Sequence, residues 1–292
     1  MTLDLKVYSS KVRVTDGAWG TQLQARGLPP GACPELWNVE NPRAVEAVAQ
    51  SYVAAGSEII ITNTFGGNRF VLGSHGAAAR TAELCRAGAA ISRKAAGTGV
   101  KVFGSIGPTG KIVMMGEVPE KELATAFAEA ATAIELAGAD AIVLESFSEL
   151  EEIRIALDAA KRATKLPVVA SMTFASGPDK TRSMMGTSPA ELAKLAEEEG
   201  ADAVGANCGI GPENYVKVAA LLREATGLPI WTKPNAGVPK IAGGKTVFPM
   251  GPAEFASYVS RLIEAGANFI GGCCGTTPEH IRAIREAVKC QS

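Results

Sequence analysis

What most constrains this chain is a count. Eight short β-rich runs alternate with longer stretches of helical pattern: KVRVTD (11–16), EIIITN (58–63), KVFGSI (101–106), DAIVLE (140–145), PVVASM (167–172), DAVGAN (202–207), PIWTKP (229–234) and NFIGG (268–272). Apolar runs separated by helices imply a parallel sheet covered by those helices. The intervening segments, such as EKELATAFAEAATAIELAG and PAELAKLAEEEG, are rich in Ala, Leu and Glu and end in glycine, which favours helix and then stops it. There is also a rhythm. Gly56, Gly138, Gly200 and Gly266, in AAGSE, LAGAD, EEGAD and EAGAN, precede the second, fourth, sixth and eighth runs, whereas KLP and GLP precede the fifth and seventh. This alternation reads as a βαβα unit used four times. A closed (β/α)8 barrel, a TIM barrel of the α/β class, accommodates eight such strands and leaves no sheet edge exposed. An open doubly wound sheet is the competing arrangement. No shift in composition marks a boundary, so residues 1–292 read as one barrel domain.

Bulk properties narrow the function. Lys plus Arg number 29 and Asp plus Glu 30, for a formal net charge of -1, with no concentrated basic patch, so a nucleic-acid surface is not expected. No apolar run reaches the roughly 18 residues of a membrane span. The opening MTLDLKVYSSKVRV lacks the apolar stretch of a secretory signal, which makes the cytoplasm the expected compartment. GPTGK (107–111) fails as a phosphate loop because Ser105 and Ile112 stand where Gly and Ser or Thr are needed. Six cysteines in a chain of 292 residues do not suggest a disulfide scaffold.

In a barrel, chemistry collects at the carboxyl ends of the strands. There the sequence supplies Asp16-Gly17, Asn63-Thr64, Ser105, Gly107, Glu145, Thr173, Cys208, Asn235 and the pair Cys273-Cys274. Cys208 closes the sixth run and the pair closes the eighth, so their ends lie on one rim with the seventh between them. Three thiolates converging there suit zinc, which is soft enough for sulfur and accepts tetrahedral geometry. The only histidines are His75 and His280, and His280 falls inside the last helix, beyond the pair. A fourth position left open would make the site catalytic. The alternative is a pair of thiols merely packed beneath Gly271, Gly272 and Gly275. Cys33, Cys85 and Cys290 stand alone and read as packed or surface thiols. GPDKTRSMMGTSP (177–189) and GVPKIAGGKTVFPMGP (237–252) read as polar loops after the fifth and seventh strands.

The motifs GGCCGTTPEHI (271–281), GANC (205–208), DGAWGTQL (16–23), ITNTFGGNR (61–69), GSIGPTG (104–110) and PNAG (234–237) resemble the homocysteine S-methyltransferase family, from about Val12 to Ile284. The resemblance implies a (β/α)8 barrel and zinc held by Cys208, Cys273 and Cys274. It also implies homocysteine bound to that zinc through sulfur, with Asp16, Gly17 and Glu145 at the amino acid's polar end. Asn235 would lie beside the metal and fill its open position before substrate arrives. Chemically, zinc turns a thiol of pKa about 8.5 into a nucleophilic thiolate at neutral pH. Glu145 suits the substrate ammonium, and backbone N–H groups near Gly17 and Trp19 suit its carboxylate.

The family's methyl donors are methylcobalamin, betaines, S-methylmethionine and S-adenosylmethionine. Gly275 replaces the arginine typical of the S-methylmethionine branch, and Gly66 replaces the tyrosine of the betaine branch. The nearest resemblance, through GKTVFPM (244–250) and GGCCGTTPEH (271–280), is to the N-terminal, homocysteine-binding module of cobalamin-dependent methionine synthases. It implies methylcobalamin presented by a separate corrinoid protein or domain. The other readings kept open are a small-molecule donor, a different thiol acceptor, a barrel with structural zinc and another substrate, and a non-catalytic scaffold.

Overall fold

Each of the eight β-rich runs forms a strand: β1 Arg13–Val14, β2 Ile59–Ile61, β3 Lys101–Ile106, β4 Ala141–Phe147, β5 Val168–Met172, β6 Ala203–Cys208, β7 Ile230–Pro234 and β8 Ala267–Ile270. The computed structural model describes residues 2–242 and 245–291. All pairings among these strands are parallel, in the order β1-β8-β7-β6-β5-β4-β3-β2. The first strand thus lies against the last and the sheet curls into a nearly closed barrel. At the β1–β2 seam, carboxylates replace ladder partners. Glu58 donates its N–H to Val14 at 2.8 Å, and its own carboxylate accepts from Val14 N at 3.1 Å. The Asp16 carboxylate accepts from Ile61 N at 2.8 Å.

The outer layer is built from α1 Pro42–Ala54, α2 Thr81–Ala96, α3 Glu120–Leu136, α4 Leu150–Ala163, α5 Pro189–Glu198, α6 Pro212–Ala225, α7 Val259–Glu264 and α8 Pro278–Lys289. The fourfold rhythm of the sequence has a physical basis. Gly56, Gly138, Gly200 and Gly266 all take positive φ just past a helix end, where a side chain would be strained. Two residues after each stands Glu58, Asp140, Asp202 or Asn268. Their side chains accept a backbone N–H at the start of the preceding odd strand: Val14, Val102, Val168 and Ile230 respectively. Cations then close over the three acids: Arg13 and Arg285 on Glu58, Arg93 and Lys101 on Asp140, Lys161 on Asp202. The amino end of the barrel is therefore a repeated clasp.

Inside, alternation along the strands turns every second residue inward. Phe103, Trp231 and Phe269, from β3, β7 and β8, meet across the interior with ring centroids 5.6–6.5 Å apart and close it with a buried aromatic floor. One inward step further up β3 and β7 stand the polar residues Ser105 and Lys233. The segment after β5 contains a bridge between Ser176 and Arg182, and a capping box of Ser188 with Glu191 starts α5. The stretch 237–252 is not all loop: Lys240–Ala242 pairs antiparallel with Lys245–Val247. Gly243 and Gly244 lie outside the described residues. No described helix is long and apolar enough to cross a membrane.

Candidate metal and substrate site

Strand register brings the three thiols together. Cys208 is paired with Pro234 on one flank of β7, and Cys273 donates its N–H to the Pro234 carbonyl at 2.8 Å on the other. Pro234 is thus the shared partner that draws residues 208 and 273 to one spot. The Sγ atoms of Cys208, Cys273 and Cys274 lie within 4.8 Å of one another, with Cys273 and Cys274 4.0 Å apart. The backbone is bent to achieve this. Cys208 holds φ of 69°, unusual for a side-chain-bearing residue, and Gly275 holds φ of 81°. A Cβ at Gly275 would also run into the Phe248 ring.

The donor set fits zinc. Thiolates at about 2.3 Å in a tetrahedron stand about 3.8 Å apart, close to the spacing seen here. Asn235 supplies a second observation. Its Nδ2 donates to Gly209 O at 2.7 Å, whereas its Oδ1 is buried and has no hydrogen-bond partner among the described residues. Its backbone N–H donates to Cys208 O at 3.3 Å, and a buried acceptor left unmatched on a residue so close to a thiol-bearing one is what a cation would satisfy. The thiols themselves resist ionising together. Cys273 favours a charge on Cys208, but Cys274 and burial oppose it, and Cys208 is pushed up to about 12. Its bond to Cys208 and its burial hold the Cys273 thiol well above the ordinary range. His280 does not join them. Its Nδ1 accepts from Thr277 N at 3.2 Å and its Nε2–H donates to Met250 O at 3.0 Å, so it caps α8 instead.

The thiols open into a cavity of about 470 Å³, which Gly17, Trp19 and Glu145 also line. Glu145 is 5% exposed, and one of its oxygens accepts from Ser105 Oγ at 2.5 Å. Burial raises its pKa against the opposing pull of Lys233. Gly17 admits the loop because a Cβ there would meet Tyr52 and Thr276. Asp16 is not in the cavity wall. It is fully buried, its Oδ1 2.5 Å from Lys233 Nζ and its Oδ2 2.8 Å from both Trp19 Nε1 and Ile61 N.

Sequence reasoning did not single out Lys233 or the outer lobe of the cavity. Lys233 had a signal: a charge at an inward position between Trp231 and Asn235, in a strand otherwise fit for a core. The outer lobe holds Cys33, Glu35, Phe65 and His75. Cys33 donates to Glu35 Oε2 at 3.2 Å, and burial together with that carboxylate pushes the thiol up to about 12. Nothing in the spacing of CPELW signals that these residues reach the site.

Comparisons with known proteins give the family and the fold. The family model described as homocysteine S-methyltransferase matches residues 13–288. A methionine synthase of Mycobacterium tuberculosis is 35% identical over 305 aligned positions, covering 97% of this chain and 25% of that protein. The Mycobacterium leprae methionine synthase is 32% identical with the same coverage. The chain thus spans about a quarter of the length of these curated relatives. Among solved structures, the homocysteine methyltransferase MmuM from Escherichia coli superposes with a TM-score of 0.79 in its oxidised form (98% of this chain, 99% of that one). Its metallated form gives 0.78, covering 99% of each chain, and both forms are 25% identical to this chain.

Proposed function

The chain belongs to the homocysteine S-methyltransferase family, and from that membership we propose that it is a zinc-dependent enzyme moving a methyl group to the thiol of L-homocysteine, giving methionine. The observation that carries this reading is one cavity lined by three converged thiols and the buried carboxylate of Glu145. Cys208, Cys273 and Cys274 would hold the zinc, with the free Oδ1 of Asn235 beside them. Zinc, when bound, supplies a soft Lewis acid that lets a thiol enter as its thiolate at neutral pH. The protein does the rest. Glu145 takes the substrate ammonium, and Ser105 fixes the orientation of its carboxylate. Gly17 and Trp19 shape the wall where the amino acid's carboxylate lies. The aromatic floor closes the cavity from below, so the thiolate sulfur would attack the methyl carbon from the mouth side, forming the S–C bond as the bond from that carbon to the donor breaks and its electron pair leaves with the donor.

For the donor we propose methylcobalamin on a corrinoid protein or domain. The support is the mouth of the barrel. Exposed apolar side chains crowd the loops that follow β2, β3, β5 and β7: Phe65, Met114, Met115, Met184 and Ile241. Met114 and Met115, 72% and 71% exposed, are not on a slack loop. Glu149 accepts from Val113 N and Met114 N, and Glu152 holds Thr109. A rigid rim of flexible, polarisable side chains suits a large partner. A small sulfonium donor is the second reading, favoured by the Glu35 carboxylate in the outer lobe. Mass spectrometry of zinc-loaded protein with homocysteine and a donor panel decides between them. The expected result is methionine from free methylcobalamin, formed faster from a corrinoid protein because docking supplies orientation. Efficient turnover of S-methylmethionine or a betaine, with both cobalamin forms ignored, would overturn the donor and leave the acceptor standing.

A further inference from the structure

Two strands depart from regular backbone where they reach the cavity. Between Leu144 and Phe147 β4 takes three steps while its partner β5 takes two, from Ala170 to Met172, so β4 carries one extra residue. That bulge holds Ser146 at φ of 65° and lets Glu145 and Ser146, consecutive in sequence, both line the cavity. In β6 the departure is Cys208 itself, at φ of 69°. Side-chain-bearing residues seldom hold this left-handed region without support. For Ser146 the support comes from Asn207. This fully buried side chain reaches from β6 across β5 to β4: its Oδ1 accepts from Ser146 N at 2.8 Å and its Nδ2 donates to Ser146 Oγ at 2.6 Å. Ser171 Oγ, on β5, donates to the same Oδ1 at 2.8 Å and fixes the orientation of the amide. The Asn207 carbonyl is held too, accepting from Thr173 Oγ1 at 3.1 Å.

We propose that Asn207 sets the length of thiol the site accepts, as a positioning residue that fixes the span between the β4 bulge and the thiol cluster. This rests on the homocysteine reading above. The reason is geometric. The acceptor has to reach two places at once, the cysteines with its sulfur and β4 with its polar end. The chain between those ends is flexible, so the protein has to supply the fixed distance. Asn207 joins the two places directly: its backbone leads into Cys208, and its side chain grips the residue after Glu145. Without that grip the bulge is free to relax toward regular strand geometry, which turns consecutive residues to opposite faces and swings Glu145 relative to the thiols. Asn207 is not itself part of the cavity wall, so it acts through the segment it holds.

Three thiols separate this role from general support. Titration calorimetry on zinc-loaded protein would compare L-homocysteine, its homologue with one more methylene, and γ-mercaptobutyrate, the desamino thiol, which has no ammonium to place at β4. Wild type should prefer homocysteine to the longer homologue on the order of thirtyfold, within the range one methylene commands. Asn207→Ala should bring that preference to within about threefold while leaving the desamino thiol's affinity within about threefold of wild type. Equal weakening of all three thiols would make Asn207 a merely structural residue and overturn the proposal. Glycine takes positive φ without a clamp, so Ser146→Gly added to Asn207→Ala should restore most of the preference. A double variant as unselective as Asn207→Ala would also overturn the proposal, because Asn207 would then act other than through the bulge. Should Asn207→Ala fail to fold, Ser171→Ala decides: it frees the amide, and the length preference should fall by about threefold or more with the desamino thiol unchanged. An unaltered preference there would overturn the proposal. Zinc content measured on each sample keeps metal loss from passing as a change of length. Equal binding of both chain lengths by wild type would overturn the length selection and leave the homocysteine reading standing; binding of none of the three would overturn that reading and this proposal with it.

Discussion

The two ends of this barrel are built on different plans. At the amino end the same device recurs: a positive-φ glycine, then two residues later an acid or amide that takes an N–H at the start of the preceding odd strand. At the carboxyl end no two strands do the same thing. One carries the Glu145 carboxylate near its end, one closes on a left-handed cysteine, one carries Lys233 with, two residues on, an asparagine whose oxygen is unmatched, and one leads into a cysteine pair. Repetition marks the end that holds the sheet together, and broken repetition marks the end that does chemistry. The difference follows from the forces involved. Strand starts all face one problem, an unpaired ladder N–H, and one solution serves four times. A reaction needs several different groups at one point, so symmetry has to be given up.

The largest effect should come from breaking the irregular end. Replacing Cys208 by Ser should lower zinc affinity more than about a hundredfold, beyond the range of outer-shell partners, and abolish methyl transfer. The clasp at the other end is untouched, so thermal unfolding of the variant without metal should match that of wild type without metal. Elemental analysis and circular dichroism check both halves. Zinc at full occupancy in this variant would remove Cys208 from the ligand set.

Next in size is the converse change. Asp140→Ala strips the Val102 N–H of β3 of its acceptor and releases Arg93 and Lys101. The expected cost is about 1–3 kcal/mol of stability, chiefly from the unsatisfied backbone donor, because partly exposed ion pairs add little. Denaturant melts should show it, with zinc content and homocysteine affinity unchanged. A matching loss of affinity would mean the two ends are coupled.

Glu145 sets function against stability. Burial raises its pKa in the folded state, so the stability it contributes is present below the unfolded carboxyl value and is lost as pH rises through the folded one. Glutamine does not titrate. Glu145→Gln should therefore be more stable than wild type near neutral pH, by about 1 kcal/mol in the absence of ligand, with the gap closing as pH falls below the carboxyl range. The same variant should lose its preference for homocysteine over the desamino thiol. Melts from acid to neutral pH test the sign: a gap that widened toward acid would contradict a raised pKa.

The two ends also differ in how far they were legible. The clasp could be seen because it repeats; four glycines at matched places announced four paired units, and the barrel followed. The thiols could be seen because a doublet after an apolar run is rare and strand order alone puts the sixth and eighth ends near each other. Lys233 was hidden by its setting. Its inward charge is a signal, but the partner that explains it, Asp16, lies 217 positions away. Cys33 and Glu35 were hidden for a different reason: they reach the cavity from the long β1–α1 connection, whose path no periodicity encodes. Asp16 shows the limit of reading by motif. The motif gives the residue, but only its three donors show that its charge is already matched from within.

The smallest effect separates His280 from the metal. Sequence position alone left it as a conceivable fourth ligand. In the structure its ring is fixed at both nitrogens, by Thr277 at the start of α8 and by the Met250 carbonyl, with Phe255 edge-on at 5.9 Å. Burial lowers its pKa, so the neutral ring with the proton on Nε2 is the form that both hydrogen bonds require. Its work is that of a cap, and His280→Ala should cost about 1 kcal/mol, as the loss of a helix cap does. His280→Gln, which can span the same two partners, should recover part of it. Zinc stoichiometry and affinity should stay at wild-type values in both variants, because the ring is committed to the helix end. A drop in zinc affinity that Gln did not restore would place the imidazole on the metal and make the site a closed, structural one.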